Sequence, residues 1–142
     1  TRAELTDLLC ARGVPDDAAR RVLDRFTEVG LIDDAALADG YVLAQHHERG
    51  LAGRAVALKL RRRGIDEDTV RAAVDQIDRD SELGAARALV QRRVRSLRGL
   101  DPQVQARRLV GLLARKGYSP SIAHQVARES LAGLPDGELV GD

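Results

Sequence analysis

The segment LTDLLCARGVPDD at residues 5–17 aligns with VALKLRRRGIDED at residues 56–68 and with LVGLLARKGYSPS at residues 109–121. The glycines of the three segments lie 51 and 53 residues apart, close to the period of helical arrays. In each segment two apolar residues four positions apart mark one face of a helix, and a cation precedes the glycine. The pattern predicts a helix that ends at a left-handed glycine, with the cation at the negative end of the helix dipole.

A second helix is predicted after each glycine. One apolar residue follows the glycine, and the helix then begins at a capping site: Asp16 with Pro15, Asp66, or Ser119 with Pro120. The apolar stripes of these second helices are Ala19, Val22, Leu23 and Phe26, then Val70, Ala73, Val74 and Ile77, then Ile122, Val126 and Leu131. The chain is therefore predicted to contain one helix–turn–helix unit three times.

Longer helices link these units and complete the predicted repeats. Asp33 or Asp34 caps a helix that runs to about Glu48, and another helix begins near Ser81 and carries a stripe that ends at Leu97. No β-strand pattern of any length is present, so the sequence predicts an all-α fold of eight helices in tandem three-helix repeats. The expected boundaries are 1–30 for repeat 1 (its first helix missing behind a trimmed start), 31–79 for repeat 2, 80–132 for repeat 3 and 133–142 for a flexible tail.

Composition limits the class of protein. Hydrophobic residues make up 44% and charged residues 32% of the chain, which is typical of a globular protein. No run of about 18 apolar residues is present, so no membrane span is expected. Cys10, expected on an apolar helix face beside Leu9, is the single cysteine; this rules out an internal disulfide and favours the reducing cytoplasm.

Positive charge is concentrated in the middle of the chain. Residues 1–50 carry a net charge of −4, residues 51–100 carry +5, and the remainder is neutral. An uneven distribution of this kind indicates an anionic partner, either an acidic protein or a nucleic acid.

No motif predicts catalysis, a metal site or a cofactor site. His46 and His47 are adjacent and point about 100° apart on a helix, so they cannot share one metal and are expected to be solvated or at a helix end. Asp33 and Asp34 fit helix capping better than a catalytic carboxylate pair. The chain lacks a nucleophile elbow, a P-loop and a dinucleotide-binding fingerprint. The sequence therefore predicts a protein that is not an enzyme.

Arginine-rich clusters are the remaining candidates for a functional surface. Arginine forks bind phosphates and carboxylates, whereas the alternative is that these cations form solvated helix faces. Cations directly before the repeat glycines are assigned to helix ends. Arg92, Arg95 and Arg98 cannot be assigned in this way, because they recur every three residues along one predicted helix. The candidate partner-binding residues are Lys59, Arg61, Arg62, Arg87, Arg92, Arg93, Arg95, Arg98, Arg107 and Arg108.

VLDRF at residues 22–26, GLIDD at 30–34 and RRGID at 62–66 together resemble the RecX family, the regulators of the RecA recombinase. Residues 107–118, RRLVGLLARKGY, look like the last repeat of that family, and the resemblance extends over residues 1–132. The sequence departs from the family where Leu37 replaces a common aromatic residue, and also at QHHE, where the family is more basic.

The resemblance implies a bacterial, cytoplasmic and monomeric protein of three three-helix repeats, elongated and curved. Such a protein is expected to lie in the groove of the RecA–DNA filament and to block its extension or promote its disassembly. It would thereby suppress recombination and ATP hydrolysis during DNA repair and the SOS response. The resemblance also implies weak direct binding of single- or double-stranded DNA, with no cofactor and no membrane.

Two other functions stay open on the residues alone. The helix–turn–helix units and the arginine rows also fit a stand-alone nucleic-acid-binding helical-repeat module, which would bind DNA with a steep salt dependence. A stack of helical repeats also fits an adaptor for an unrelated acidic protein. The aromatic content of 2% argues against recognition of unpaired bases by stacking.

Overall fold

A computed structural model describes residues 1–132, and this part of the chain contains eight α-helices and no β-strand. The helices are α1 Arg2–Ala11, α2 Asp16–Glu28, α3 Asp34–Val42, α4 Gly53–Arg62, α5 Glu67–Val74, α6 Arg79–Val94, α7 Pro102–Arg115 and α8 Pro120–Ala132. A π-helical turn, Leu43–Glu48, extends α3, and a 3₁₀ turn, Arg95–Leu97, extends α6. The all-α fold with eight helices is confirmed, and the tail predicted at 133–142 lies outside the described residues.

Aspartate caps begin the middle helices. The side chain of Asp33 accepts a hydrogen bond from the Ala36 amide at 3.0 Å, and Asp66 accepts one from the Thr69 amide at 2.9 Å. Each bond satisfies an amide that has no partner within its own helix. The prediction for α2 is wrong in detail: the cap is Pro15, which has no side-chain bond to offer, and Asp16 is already helical.

The predicted left-handed glycines are confirmed in all three copies. Gly13, Gly64 and Gly117 have φ angles of 80°, 81° and 95°, a region that residues with a Cβ rarely adopt. The residue after each glycine folds back onto the preceding helix. In the third copy the Tyr118 amide bonds the Leu113 carbonyl at 3.0 Å, and the Tyr118 ring is buried.

Two apolar cores hold the second and third units. In the second unit α3 packs against α4 and α5, and in the third unit α6 packs against α7 and α8. Small and branched side chains fill both interiors. The second-unit core consists of Ala38, Val42, Val56, Ala57, Leu60, Ile65, Val70, Ala73 and Ile77. The third-unit core consists of Ala52, Leu83, Ala86, Val90, Leu97, Leu109, Leu113, Tyr118, Ile122, Ala123, Val126 and Ala127.

The first unit has two helices within the described chain and is packed more thinly. Val22 is 44% exposed and Phe26 is 40% exposed, so the prediction that they belong to a buried stripe is wrong. The equivalent positions of the second unit, Ala73 in α5 and Ile77 just after it, are buried in the core to which α3 also contributes. Cys10 is exposed as well, contrary to its predicted place on an apolar face, and its thiol lies 3.4 Å from an Asp16 carboxylate oxygen.

The second and third units meet at Gly117. A Cβ at this glycine would lie 2.7 Å from the Cβ of Ala55 in α4, closer than two side chains approach. The amide of Ala52 donates a hydrogen bond of 2.9 Å to the Lys116 carbonyl at the same contact. The end of α7 therefore rests directly on the first turn of α4, and only glycine fits there.

The first and second units meet in the same way at Gly64. A Cβ added to Gly64 would lie 2.5 Å from the Cβ of Ala3 in α1. The Thr1 hydroxyl donates to the Arg63 carbonyl at 2.8 Å, and the Arg63 guanidinium bonds Glu4. Thr1 lies 51 residues before Ala52, the period of the repeat, so the residues that bond across the two seams occupy equivalent positions.

We expect Gly117→Ala to lower the free energy of unfolding by about 2–4 kcal/mol, because the new methyl adds a clash with Ala55 to the cost of a positive φ. Gly13→Ala is the matched control: it has a similar φ, but nothing lies within 4 Å of the new Cβ. It should lose about 1 kcal/mol. Urea denaturation of both variants measures the difference, and equal losses would exclude the seam contact.

His46 lies in the last turn of the helical extension of α3, as the helix-end alternative predicted, but it is buried rather than solvated. It is 1% exposed and lies in the π-helical turn after α3. Its Nδ1 is 2.6 Å from the Leu51 carbonyl, which only accepts, so Nδ1 carries the proton. Its Nε2 then accepts from the Ser81 hydroxyl at 2.8 Å. One imidazole thus joins the end of the α3 extension, the start of α4 and the first turn of α6.

We expect His46→Ala to cost about 2–4 kcal/mol of stability, since it leaves a cavity and removes the partner of a buried carbonyl. His47→Ala tests the adjacent, exposed histidine and should change stability by less than about 0.5 kcal/mol. Thermal unfolding followed by circular dichroism compares the two variants. If both lose the same stability, the two hydrogen bonds of His46 do not hold the units together.

Candidate anion-binding surface

All ten predicted partner-binding cations are exposed, but they do not form one surface. Lys59, Arg61 and Arg62 lie on α4, and Arg107 and Arg108 lie on α7. The other five lie on α6 and the residues after it, where they point to different sides of the third unit. The neighbours of each side chain separate cations with an internal role from cations that remain accessible to a partner.

Two of the ten cations, both arginines, form ion pairs with acids of the same chain. Arg61 bonds both carboxylate oxygens of Glu67 at 2.8 and 2.7 Å across the turn from α4 to α5. Arg87 of α6 likewise bonds both oxygens of Glu129 in α8, at 2.9 and 3.2 Å. These bonds lower the pKa of each glutamate below its ordinary value. Arg61 and Arg87 therefore connect helices and are poor candidates for partner contacts.

The predicted row of Arg92, Arg95 and Arg98 is divided in the structure. The α-helix ends at Val94, Arg95 lies in the 3₁₀ turn, and Arg98 follows it with an extended backbone. Arg92 lines a small hollow beside His47. Arg95 and Arg98 line a different cavity against α8. The prediction of one continuous row is wrong because the α-helix, with its 3.6 residues per turn, ends before Arg95 and Arg98 are reached.

Four arginines line one groove between the end of α6 and α7. The groove has a volume of about 560 Å³, and its arginines are Arg93, Arg107, Arg108 and Arg115. We refer to this feature as the arginine groove. Leu97, Val104, Leu109 and Leu112 line its floor together with Ser96 and Gly111. No acidic side chain lines it, and within residues 1–132 none of the four guanidiniums has an ion pair.

Arg115 was not among the predicted site residues. Its guanidinium turns back along α7 and lines the arginine groove. Gly111 makes this possible, because a Cβ there would lie 3.3 Å from Nη1 of Arg115. The spacing of glycine and arginine by one helical turn was the sequence signal that the prediction overlooked.

The arginine groove is suited to binding anions rather than to chemistry. Guanidinium forks bind phosphate or carboxylate oxygens in pairs, and the absence of lining acids leaves these forks available. Lys59 and Arg62 have no ion pair within the described chain either, but they lie away from the groove on α4. The described residues include no group of three potential metal ligands, and none of their helices is long and apolar enough to cross a bilayer.

Comparison with known proteins identifies relatives over most of the chain. A family model described as RecX, second three-helix domain, matches residues 33–74, and one described as RecX, third three-helix domain, matches residues 80–126. Regulatory protein RecX of Thermobifida fusca is 53% identical over 131 residues, which cover 92% of this chain and 71% of that protein. Regulatory protein RecX of Streptomyces lividans is 49% identical over 143 residues, covering 100% of this chain and 76% of that protein.

A solved structure supports the architecture. The crystal structure of RecX from Lactobacillus salivarius superposes with a TM-score of 0.78 over 91% of this chain and 84% of that chain. The identity is 21%, so this likeness concerns the fold alone. Tandem three-helix repeats are thus confirmed by the helices themselves and by the two domain matches.

We expect inorganic pyrophosphate to shift the side-chain Nε–H resonances of the arginine groove. The resonances of Arg93, Arg107, Arg108 and Arg115 should move together in an NMR titration, because no internal carboxylate competes for these guanidiniums. Arg61 is the internal control, since Glu67 occupies both arms of its fork. Equal shifts at Arg61 and at the groove would mean that pyrophosphate interacts non-specifically with exposed arginines and does not bind the groove.

Proposed function

This chain belongs to the RecX family, and from that membership we propose that it is a regulatory protein that binds RecA and its DNA filament and inhibits recombinase and ATPase activity. The observation that carries the proposal is the 53% identity to a protein named as a RecX regulatory protein over nearly the whole chain. The proposed action is binding without catalysis, by a monomer in the bacterial cytoplasm, with no cofactor and no membrane.

The arginine groove supports a charge-led contact with the filament. DNA presents a row of phosphates, and arginine forks bind phosphate oxygens in pairs. Four guanidiniums at the junction of α6 and α7, none of them in an ion pair within residues 1–132, supply such forks in the third repeat. Lys59 and Arg62 at the end of α4 add exposed cations in the second repeat. We assign these six residues to the proposed partner surface, whereas Arg92, Arg95 and Arg98 line other hollows and are left out of it.

A second candidate function is a stand-alone nucleic-acid-binding helical-repeat module. The observation in its favour is the groove itself, which needs no RecA to attract phosphates. Fluorescence anisotropy with single-stranded DNA and no RecA distinguishes the two functions. Strong binding at about 50 mM salt that falls steeply by 200 mM would favour the module, whereas weak DNA binding together with RecA inhibition favours the regulator.

The decisive measurement is ATP hydrolysis by RecA on single-stranded DNA with substoichiometric amounts of this protein. We expect inhibition by the wild-type chain. The variant Arg93→Glu, Arg107→Glu, Arg115→Glu should need about tenfold more protein for equal inhibition, since three phosphate- or carboxylate-binding forks are reversed in charge.

The matched control is Arg12→Glu, Arg20→Glu, Arg21→Glu, which makes the same change in net charge on three exposed arginines of the first unit. It should inhibit like the wild type, and circular dichroism checks that both triple variants remain helical. Unchanged hydrolysis with the wild-type chain would refute the proposed function. Inhibition that survives in the groove variant would remove the arginine groove from the partner surface.

A further inference from the structure

Leu31 is a large apolar side chain that neither core of the described chain uses. It follows Gly30 in the turn between α2 and α3 and is 72% exposed, more than any other large apolar residue of residues 1–132. Its neighbours have roles in the fold, because Ile32 is buried and the Asp33 side chain caps α3. The Leu31 amide bonds the Phe26 carbonyl at 2.8 Å, which fixes the turn from which the side chain projects.

Two carboxylates follow Leu31 in the sequence GLIDD, residues 30–34, which we refer to as the GLIDD turn. Asp33 accepts a bond from the Ala36 amide through Oδ1, and Asp34 accepts one from the Arg2 amide through Oδ1. Within residues 1–132 the Oδ2 atoms of Asp33 and Asp34 form no hydrogen bond, and neither carboxylate forms an ion pair. The GLIDD turn therefore combines a projecting leucine with two anionic oxygens that can still accept bonds.

The arginine groove of the third unit has the complementary lining. Its guanidiniums form no ion pair within residues 1–132, and its volume of about 560 Å³ is several times that of a leucine side chain. Its floor is aliphatic, with Leu97, Val104, Leu109 and Leu112. Phosphates alone would satisfy the guanidiniums and leave this floor without an apolar partner. A protein turn with a leucine beside carboxylates supplies both kinds of contact.

The two surfaces do not meet within one folded chain. The GLIDD turn lies between α2 and α3, whereas the groove has no lining residue before Arg93. The exposure of Leu31 also shows that the rest of the described chain leaves it uncovered. A second copy can bring its GLIDD turn to the groove of the first. Because this contact uses a different surface on each copy, it leaves one groove and one turn free and can continue as an open series.

We propose that copies of this chain associate head to tail, with Leu31 of one copy in the arginine groove of the next. The carboxylates of Asp33 and Asp34 then face the guanidiniums of that groove. The contact is smaller than the interface of a stable dimer, so we expect a dissociation constant on the order of 100 µM. Association covers the groove, and the monomer of the proposed function is the dissociated form. The association itself does not rest on that function, because it requires neither RecA nor DNA.

Sedimentation equilibrium of the full chain tests the association between about 10 and 500 µM protein at about 50 mM salt. A reductant is present because Cys10 is exposed. The average mass should rise from the 15.4 kDa of the monomer and pass that of a dimer, since the contact does not close on itself. About 0.5 M salt should weaken the association about fivefold by screening the ion pairs. A mass that stays at the monomer value throughout overturns the proposal.

Two variants that each lack one half of the contact give the sharper test. Leu31→Ser removes the projecting side chain, and the groove variant Arg93→Glu, Arg107→Glu, Arg115→Glu reverses the charge of the other half. Each variant alone should associate at least about tenfold more weakly than the wild type. An equimolar mixture should form a dimer and nothing larger, because the first variant keeps its groove and the second keeps Leu31. A mixture that stays monomeric, or that grows past the dimer, overturns the proposal.

Leu58→Ser is the matched control for the loss of an exposed leucine. Leu58 of α4 is 46% exposed and lies in neither half of the contact. This control should associate like the wild type, and circular dichroism checks that all variants remain helical. Equal weakening by Leu58→Ser and Leu31→Ser would mean that exposed leucines associate non-specifically, which overturns the proposal.

Asp34→Asn tests the charged part of the contact, because the amide oxygen of asparagine can still accept the bond from the Arg2 amide. It should weaken association about threefold through the loss of one carboxylate. Association as strong as in the wild type would exclude this carboxylate from the contact. No RecA is present in these experiments, so their failure is distinct from a failure of the hydrolysis assay.

Discussion

The close contact at the repeat glycines is the constraint on which the rest of the structure depends. Gly64 and Gly117 each end a helix in a left-handed conformation and at the same point touch an alanine of the preceding unit. One residue type thus satisfies two demands, the turn within a unit and the approach between units. Since the contact leaves no room for a Cβ, it sets the distance between successive units and the direction in which the third unit presents its helices.

Within residues 1–132 the third unit is the last in this series of contacts, and one face of its α7 is open. Thr1 and Ala52 occupy equivalent positions in the first two units, and each forms a hydrogen bond to the next unit. The equivalent position in the third unit, 53 residues after Ala52, is Gln105. Gln105 turns inward: it is 4% exposed, and its amide nitrogen donates to the Leu97 carbonyl of its own unit at 2.8 Å. The outer face of α7 beside it is not covered by a further unit within the described chain, and this is where the arginine groove forms.

The sequence predicted the features that local spacing controls and missed those that depend on distant contacts. The left-handed glycines and the Asp66 cap follow from neighbours within a few residues, so their recognition required no tertiary information. The pairing of Arg87 with Glu129 joins residues 42 positions apart, and the buried His46 bonds Ser81, 35 positions away. In the candidate site, the same limitation left Arg87 in the predicted surface and Arg115 out of it.

The positive charge of the arginine groove is not compensated by lining acids, and this favours an anionic partner there. Neighbouring guanidiniums repel each other, and this repulsion destabilises the folded chain unless acids or bound anions offset it. Elsewhere the chain supplies the acids, as Glu67 does for Arg61 and Glu4 does for Arg63. None of the described residues that line the groove is acidic, although acids and cations are nearly equal in number over the whole chain. We therefore expect the anion that offsets this cluster to come from outside the folded repeats, as the proposed function requires.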